Sequence, residues 1–235
     1  MNGYTIRVAT QGDLFRIRDW LEQEHNDGVE GCFFYNYNLI KEGLTSGSLT
    51  VLVRESDELP IAFALGENNI DIFAVKYDCR KQGFGRYLAQ HIIDRSRQRD
   101  VIGMYGECAP STSKKFWQRM GFSSVEPPYG GDNPNWVAYP LPHERTLPEG
   151  PRLSVVVCVD DYHESMKGVF QSDAIKINDH YLLAMDFVQY IPQPDQNLEV
   201  SCDGKVIFRN KNKYVSEIGG ERHAPWVRLR QIFVG

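Results

Sequence analysis

Apolar and polar residues alternate at the start of the chain. Tyr4, Ile6 and Val8 fall on one side of an extended segment, which predicts a first strand. Thr10 stands three residues before Asp13, the spacing of a capping box. Leu14, Ile17 and Leu21 follow at helical intervals, so a helix is predicted to begin near Gly12. Residues 25–28 read as a loop and 33–44 as a second helix rich in aromatic residues. Residues 49–53 and 61–65 are two strands joined by a turn at 57–60. Asn68-Asn69 then reverses the chain into a third strand, 70–75, completing an antiparallel meander.

After Val75 the period changes. Phe84, Tyr87, Leu88, His91 and Ile92 share one helical stripe, which makes His91 a packed core histidine. A strand over 101–105, extending to Cys108 at most, and a short helix over 111–120 follow. Gly121 stands where a left-handed helix cap is needed. Phe122, Val125 and residues 136–139 form a closing hairpin. The stretch from Pro140 to Pro151 is dense in proline and charge and reads as a boundary. The expected organisation is a first domain over 1–141, a linker over 142–151 and a second domain over 152–235. In the second, residues 153–159, 174–177, 181–188, 198–201, 206–209 and 226–234 read as strands, without a helical stripe. The expected fold is α/β (α+β), followed by a smaller all-β domain, sandwich- or barrel-like.

Composition narrows the function classes. Apolar residues make up 42% and charged residues 24%, as in an ordinary globular protein. The net charge of −5 argues against a nucleic-acid surface, although the last thirty residues tilt basic. Five dispersed cysteines without a C-x-x-C pair imply reduced thiols in a cytoplasmic protein. The N-terminus is not expected to be a signal peptide, and no apolar run is long enough for a helix to span a bilayer. The six histidines show no metal-ligand spacing, His163-Glu164 lacks the second histidine of a zinc-protease helix, and no G-x-S-x-G elbow is present.

The most informative stretch runs from Val75 to Leu88: a strand, a glycine-bearing loop, then a helix. The first turn of a helix leaves backbone N–H groups unpaired, and its dipole adds partial positive charge, so a diphosphate is a natural guest. Gly83 and Gly85 would let the backbone approach phosphate oxygens, and Arg80, Lys81 and Arg86 would add charge-assisted contacts. The loop is neither a Walker loop, lacking Gly-Lys-Ser/Thr, nor a dinucleotide fingerprint, lacking the third glycine.

Arg80-x-x-Gly83-x-Gly85, preceded by Phe73-Ala74-Val75 and followed by Leu88, resembles the GNAT superfamily of acetyl-CoA-dependent N-acetyltransferases. Residues 116–122, a helix ending in Gly121-Phe122, resemble that family's last helix, and the order of elements from Thr5 to Tyr139 matches as well. The resemblance covers only the first part of the chain, about residues 5–140.

The resemblance implies acetyl-CoA as co-substrate and direct attack of an amine on the thioester. The pantetheine arm would lie along the strand carrying Phe73, Ala74 and Val75. The diphosphate would sit on the amides of Lys81, Gln82, Gly83, Phe84, Gly85 and Arg86. The attacking amine must be neutral, so a carboxylate should take its proton. Asp71 is the first candidate base, with Glu67 and Glu107 as alternatives. Where many members carry a tyrosine that can protonate the departing thiolate, this chain has Trp117, whose indole is not an acid. Pro110 replaces a frequent asparagine; Tyr105, Cys108 or Ser113 could serve as donor, or none is used. Phe33, Phe34, Tyr35 and Tyr37 read either as core or as an acceptor-pocket wall. The expected partner is an amine-bearing acceptor, without a membrane or nucleic acid, and a homodimer is compatible. Two other readings stay open: a non-catalytic acetyl-CoA-binding protein whose C-terminal β domain binds a macromolecule, and an adaptor whose loop binds nothing.

Overall fold

The computed structural model describes residues 1–66, 69–161 and 164–233. It divides into two compact units. One comprises residues 1–124 with 135–139, the other residues 125–134 with 140–235.

The first unit runs β1 (Tyr4–Val8), α1 (Gln11–Asn26), α2 (Tyr37–Ser46), β2 (Leu49–Arg54), β3 (Leu59–Leu65), β4 (Asn69–Ile70) and β5 (Ile72–Val75). It continues with α3 (Phe84–Gln98), β6 (Gly103–Glu107), α4 (Lys114–Arg119), β7 (Ser123–Val125) and β8 (Trp136–Pro140). Two four-stranded sheets result, ordered β1-β2-β3-β5 and β4-β6-β8-β7. This is a GNAT-like α/β fold. The expected helix over 33–44 begins later, at Tyr37, behind a 3-10 turn at Phe34–Asn36, and stops where Gly47 adopts φ +74°.

Thr10 and Asp13 form the capping box that their spacing predicts. Thr10 N–H donates to Asp13 Oδ2 at 2.8 Å, and Asp13 N–H donates to Thr10 Oγ1 at 3.3 Å. Such a cap contributes about 1 kcal/mol. Arg7 Nη2 also donates to Asp13, at 3.0 Å. Burial alone would raise the Asp13 carboxyl, but the Arg7 and Thr10 hydrogen bonds outweigh it and hold the group below the ordinary aspartate range. Leu14, Ile17, Trp20 and Leu21 of α1 pack with Ile40 of α2 onto Val51, Phe63 and Ile72 of the sheet. On α3 the buried stripe is Phe84, Leu88, Ala89, Ile92, Ile93 and Ser96. His91 lies off it and is exposed, so the expected core histidine is a surface residue.

The second unit contains β9 (Leu153–Asp161), β10 (Glu164–Ile177), β11 (His180–Tyr190), β12 (Asn197–Cys202), β13 (Lys205–Lys211), β14 (Glu221–His223) and β15 (Trp226–Phe233). They make one antiparallel sheet, ordered β13-β12-β9-β10-β11-β15-β14. Its buried residues alternate, as in Val155, Val157 and Val159, Leu198 and Val200, and Val227 and Leu229. These residues form one cluster, so the sheet curls over its own apolar face instead of packing on a second sheet. A 3-10 segment at Asn212–Ile218, not foreseen in the sequence, adds Val215 and Ile218 to that core. Of the expected last strand and the His163 pair, Val234 and His163 lie outside the described residues.

β11 is interrupted. It pairs with β15 through residues 180–182 and again through 187–190, but not between. Residues 143–145 fill the break. Glu144 bridges Met185, Arg145 N–H donates to Ala184 C=O at 2.8 Å, and Asp186 N–H donates to His143 C=O at 3.0 Å. Part of the stretch read as linker is thus a piece of this sheet. Among the described residues no helix is long and apolar enough to cross a membrane.

Candidate active site

The sequence predicts a single strand over 70–75, and the structure divides it at Asp71. β5 pairs with β3 through Ala62↔Val75, Phe63↔Ala74, Ala64↔Phe73 and Leu65↔Ile72. Lys76 N–H donates to Ile61 C=O at 2.9 Å, which sets the alternation. Ala74 turns its backbone polar groups toward β3, while Phe73 and Val75 turn theirs away. On that outer side β5 has no strand partner among the described residues. Just upstream the same chain does have one: β4 runs parallel to β6, with Asn69 against Tyr105 and Ile70 against Gly106. Gly106 permits this approach, since a Cβ there would lie 3.0 Å from the Ile70 carbonyl oxygen. The two strands then diverge and leave a wedge. Carrying the parallel register one residue further sets Asp71 opposite Glu107 at its closed end.

At the other end β5 leads through a 3-10 turn at Tyr77–Cys79 into α3. The amides of Cys79 and Arg80 close that turn on the carbonyls of Lys76 and Tyr77. The next amide to take a backbone carbonyl is that of Tyr87, on Gly83 at 3.0 Å. Between them, the N–H groups of Lys81, Gln82, Gly83, Phe84, Gly85 and Arg86 donate to no backbone carbonyl among the described residues. They gather at the positive end of a 15-residue helix. Lys81 and Gly83 hold positive φ, +62° and +89°, which folds the loop back on itself. The side chains of Lys81, Gln82 and Arg86 are exposed.

Two details differ from expectation. Gly85 owes its size to packing, because a Cβ would meet Val75 Cγ2 at 3.3 Å and Phe116 Cε2 at 3.5 Å. Arg80 turns inward. Its Nε donates to Val75 C=O at 3.0 Å, its Nη2 lies 3.8 Å from Glu24 Oε2, and its guanidinium sits over the Tyr77 ring. These contacts tie the Arg80 side chain to the strand end, to α1 and to the turn between them.

Of the three carboxylates, Glu67 lies outside the described residues. Asp71 is open to solvent; its N–H donates to Leu65 C=O at 3.0 Å, but its carboxyl has no hydrogen bond or ion pair among the described residues, and the surrounding protein desolvates it and pushes it above the ordinary aspartate range. Glu107 is exposed at the end of β6. Trp117 is a core residue: its ring lies edge-on to Phe73 at 5.0 Å and tilted on Phe122 at 5.0 Å. It buttresses β5 from behind. Tyr105 and Cys108 are buried, and burial pushes the Cys108 thiol up, which favours the protonated form; Ser113, half-buried, is hydrogen-bonded to it. Pro110 packs on Gly31, where a Cβ would lie 2.6 Å from the ring.

The aromatic cluster divides between its two readings. Phe33, Phe34 and Tyr37 pack on the first unit's core, whereas Tyr35 is 82% exposed and meets only His25 and Phe34 edge-on. One residue near the loop went unnoticed in the sequence: Glu24, 6% exposed, accepts the Tyr77 N–H at 2.6 Å. It follows Leu14, Ile17 and Leu21 on the buried face of α1, and a carboxylate on an apolar stripe is the signal that would have exposed it.

A profile of the acetyltransferase (GNAT) domain matches residues 22–141, just over half of the chain, and the chain belongs to that family. Among solved structures it is similar to N-acetylglutamate synthase from Neisseria gonorrhoeae complexed with coenzyme A and N-acetyl-glutamate, at 17% identity and TM-score 0.46. That likeness covers 59% of this chain and 35% of the synthase, so about a third of the synthase is spanned. It is also similar to Ard1 from Thermoplasma volcanium, at 19% identity and TM-score 0.45, over 58% of this chain and 95% of that one. A third likeness is to the ribosomal-protein-S18-alanine N-acetyltransferase from Escherichia coli, at 18% identity and TM-score 0.42, over 59% and 94%. No curated protein gives a match. The family assignment rests on the domain profile.

Proposed function

We propose that the first unit transfers an acetyl group from acetyl-CoA to a primary amine, by direct attack within a ternary complex. The observation that carries this reading is continuity. Among the described residues the outer edge of β5 has no strand partner, and it leads through the turn at Tyr77–Cys79 to the amides of 81–86, which donate to no backbone carbonyl. An extended arm with amide groups can add to that edge as a strand would, through the N–H and C=O of Phe73 and the N–H of Val75. The diphosphate then meets the amides and the exposed Lys81 and Arg86. Four strand residues at about 3.3 Å each carry the arm roughly 13 Å back toward Asp71.

The thioester would thus approach the closed end of the wedge, where Asp71 and Glu107 stand. A carboxyl raised above its ordinary range is a better proton acceptor than a normal aspartate. Asp71 takes the proton from the attacking ammonium, directly or through a water, and the neutral amine adds to the thioester carbon. Collapse expels the thiolate, a tolerable leaving group; the acetyl carbonyl carbon passes from sulfur to nitrogen, and the proton remaining on that nitrogen goes through water to the thiolate, giving the free thiol. Trp117 supplies no proton in this scheme.

Titration calorimetry with acetyl-CoA, followed by thiol release across a panel of amines, tests the reading. Saturable binding with amine-dependent thiol release is expected; no heat of binding would overturn it. Buried Trp117 favours a second reading, a domain that binds acetyl-CoA without turnover. That reading gives tight binding, no thiol release with any amine, and an unchanged record after Asp71→Asn and Glu107→Gln.

A further inference from the structure

We infer that Glu24 is a positioning residue for the diphosphate cradle, acting from α1 through Arg80; the inference rests on the reading that the amides of 81–86 receive a diphosphate. Glu24 is almost fully buried, and a buried carboxylate is costly unless it is paired and hydrogen-bonded. Both of its oxygens face the loop. Oε1 accepts the Tyr77 N–H at 2.6 Å, and Oε2 lies 3.8 Å from Arg80 Nη2. Arg80 in turn donates through Nε to Val75 C=O at 3.0 Å. The chain of contacts therefore joins the last residue of the open strand edge, the turn after it and a helix some fifty residues earlier.

The loop needs such a hold. Lys81 carries a side chain at φ +62°, a conformation that costs about 1 kcal/mol or more for a non-glycine residue. Lys81 and its neighbours Gln82 and Gly83 are exposed, with the Gln82 side chain donating to Asp78 C=O at 3.0 Å. Without a brace, the amides would order only when a ligand arrives, and that ordering would be subtracted from affinity. Glu24 removes this cost in advance. It also neutralises Arg80, leaving the exposed Lys81 and Arg86 as the cations that meet an anion.

The test compares the full chain with Glu24→Ala and Glu24→Gln. Binding of coenzyme A and of S-acetyl-pantetheine, which lacks the diphosphate, is measured by calorimetry. Amide exchange over 77–86 is followed in the ligand-free proteins. Loss of a charged hydrogen-bond acceptor should weaken coenzyme A about tenfold in Glu24→Ala and less in Glu24→Gln, which keeps an acceptor for Tyr77. S-acetyl-pantetheine should bind all three alike, the hydrogen-bonded amides of Tyr77, Cys79 and Arg80 should exchange faster in the variants, and any turnover loss should appear in KM for acetyl-CoA. Equal coenzyme A affinity in a folded Glu24→Ala, or equal losses for both ligands, overturns the inference; so do unchanged exchange rates in Glu24→Gln should Glu24→Ala not fold. A wild-type chain that binds coenzyme A no better than S-acetyl-pantetheine instead refutes the cradle itself, and the exchange rates still decide whether Glu24 holds the loop.

Discussion

Each unit contains a strand that loses a neighbour partway along its length. In the second unit, β11 parts from β15 between residues 182 and 187, and the chain itself fills the break with residues 143–145. In the first, β5 has no strand partner on its outer side among the described residues, and there Arg80 takes the Val75 carbonyl. An aspartate stands at each parting. Asp186 is completely buried, and Arg145 is hydrogen-bonded to it. Asp71 is open to solvent, without such a partner among the described residues, and its carboxyl is raised. Buried backbone polar groups are nearly always paired, so a filled break is a structural solution. A break left open beside a desolvated carboxylate is the feature on which the proposed function rests.

The largest expected effect separates the two aspartates by activity. Asp71→Asn should lower turnover with amines by roughly a hundred- to ten-thousandfold, the usual weight of a general base. It should not lower the melting temperature. The sign follows from linkage: a carboxyl raised in the folded state opposes folding once it ionises, so stability from this group grows as pH falls, and the asparagine removes that penalty at neutral pH. The acid limb of kcat/KM should lie above the ordinary aspartate range and vanish in the variant. A lowered melting temperature with intact turnover would reverse the roles of the two partings.

Arg145→Met comes next. It leaves the buried Asp186 with only Arg230, whose Nε lies 3.8 Å away, and should cost about 3–5 kcal/mol in denaturant unfolding. Adding Asp186→Leu should recover part of that loss; no recovery would show that the charge is not the cause. Proline then probes the open edge. Ala74→Pro removes a donor facing β3 and should destabilise the sheet strongly, whereas Val75→Pro removes an outward N–H and should spare the fold while weakening acetyl-CoA binding. Equal effects at the two positions would mean that β5 has no free side.

The smallest effect lies away from both partings. Asp13→Asn keeps an acceptor for the Thr10 N–H but loses the charged contact with Arg7, for about 1–2 kcal/mol. Because the Asp13 carboxyl is held down, its contribution is full above the ordinary aspartate range and fades as pH falls through its lowered folded value. Stability measured across the acid range in wild type and variant should therefore converge at low pH.

Much of this was legible in the residues. Alternation marked the strands of both units, Thr10 and Asp13 marked the start of α1, and Gly121 at φ +94° marked the end of α4. The strand-loop-helix from Val75 to Leu88 was legible for the same reason: it is local, and its chemistry lies in its backbone. The position of His91 is not legible in the period, because a stripe of two turns fits two adjacent faces and only the position of the sheet selects one. Charge alone does not say which way the flexible Arg80 side chain turns; a carbonyl and a buried glutamate decide it.

What the residues alone determined, then, is the list of elements and the polarity of the loop, since these depend on short-range spacings, and the family, which depends on two local motifs and the order of elements between them. What only the tertiary structure decided is where pairing stops. The division at Asp71 follows from two distant strands competing for one segment, with Gly106 letting β6 come close and β3 holding the remainder. The mending of β11 follows from a proline-rich stretch forty residues upstream. Hydrogen-bond partners in a sheet are chosen by neighbours in space, and no period along a chain records them.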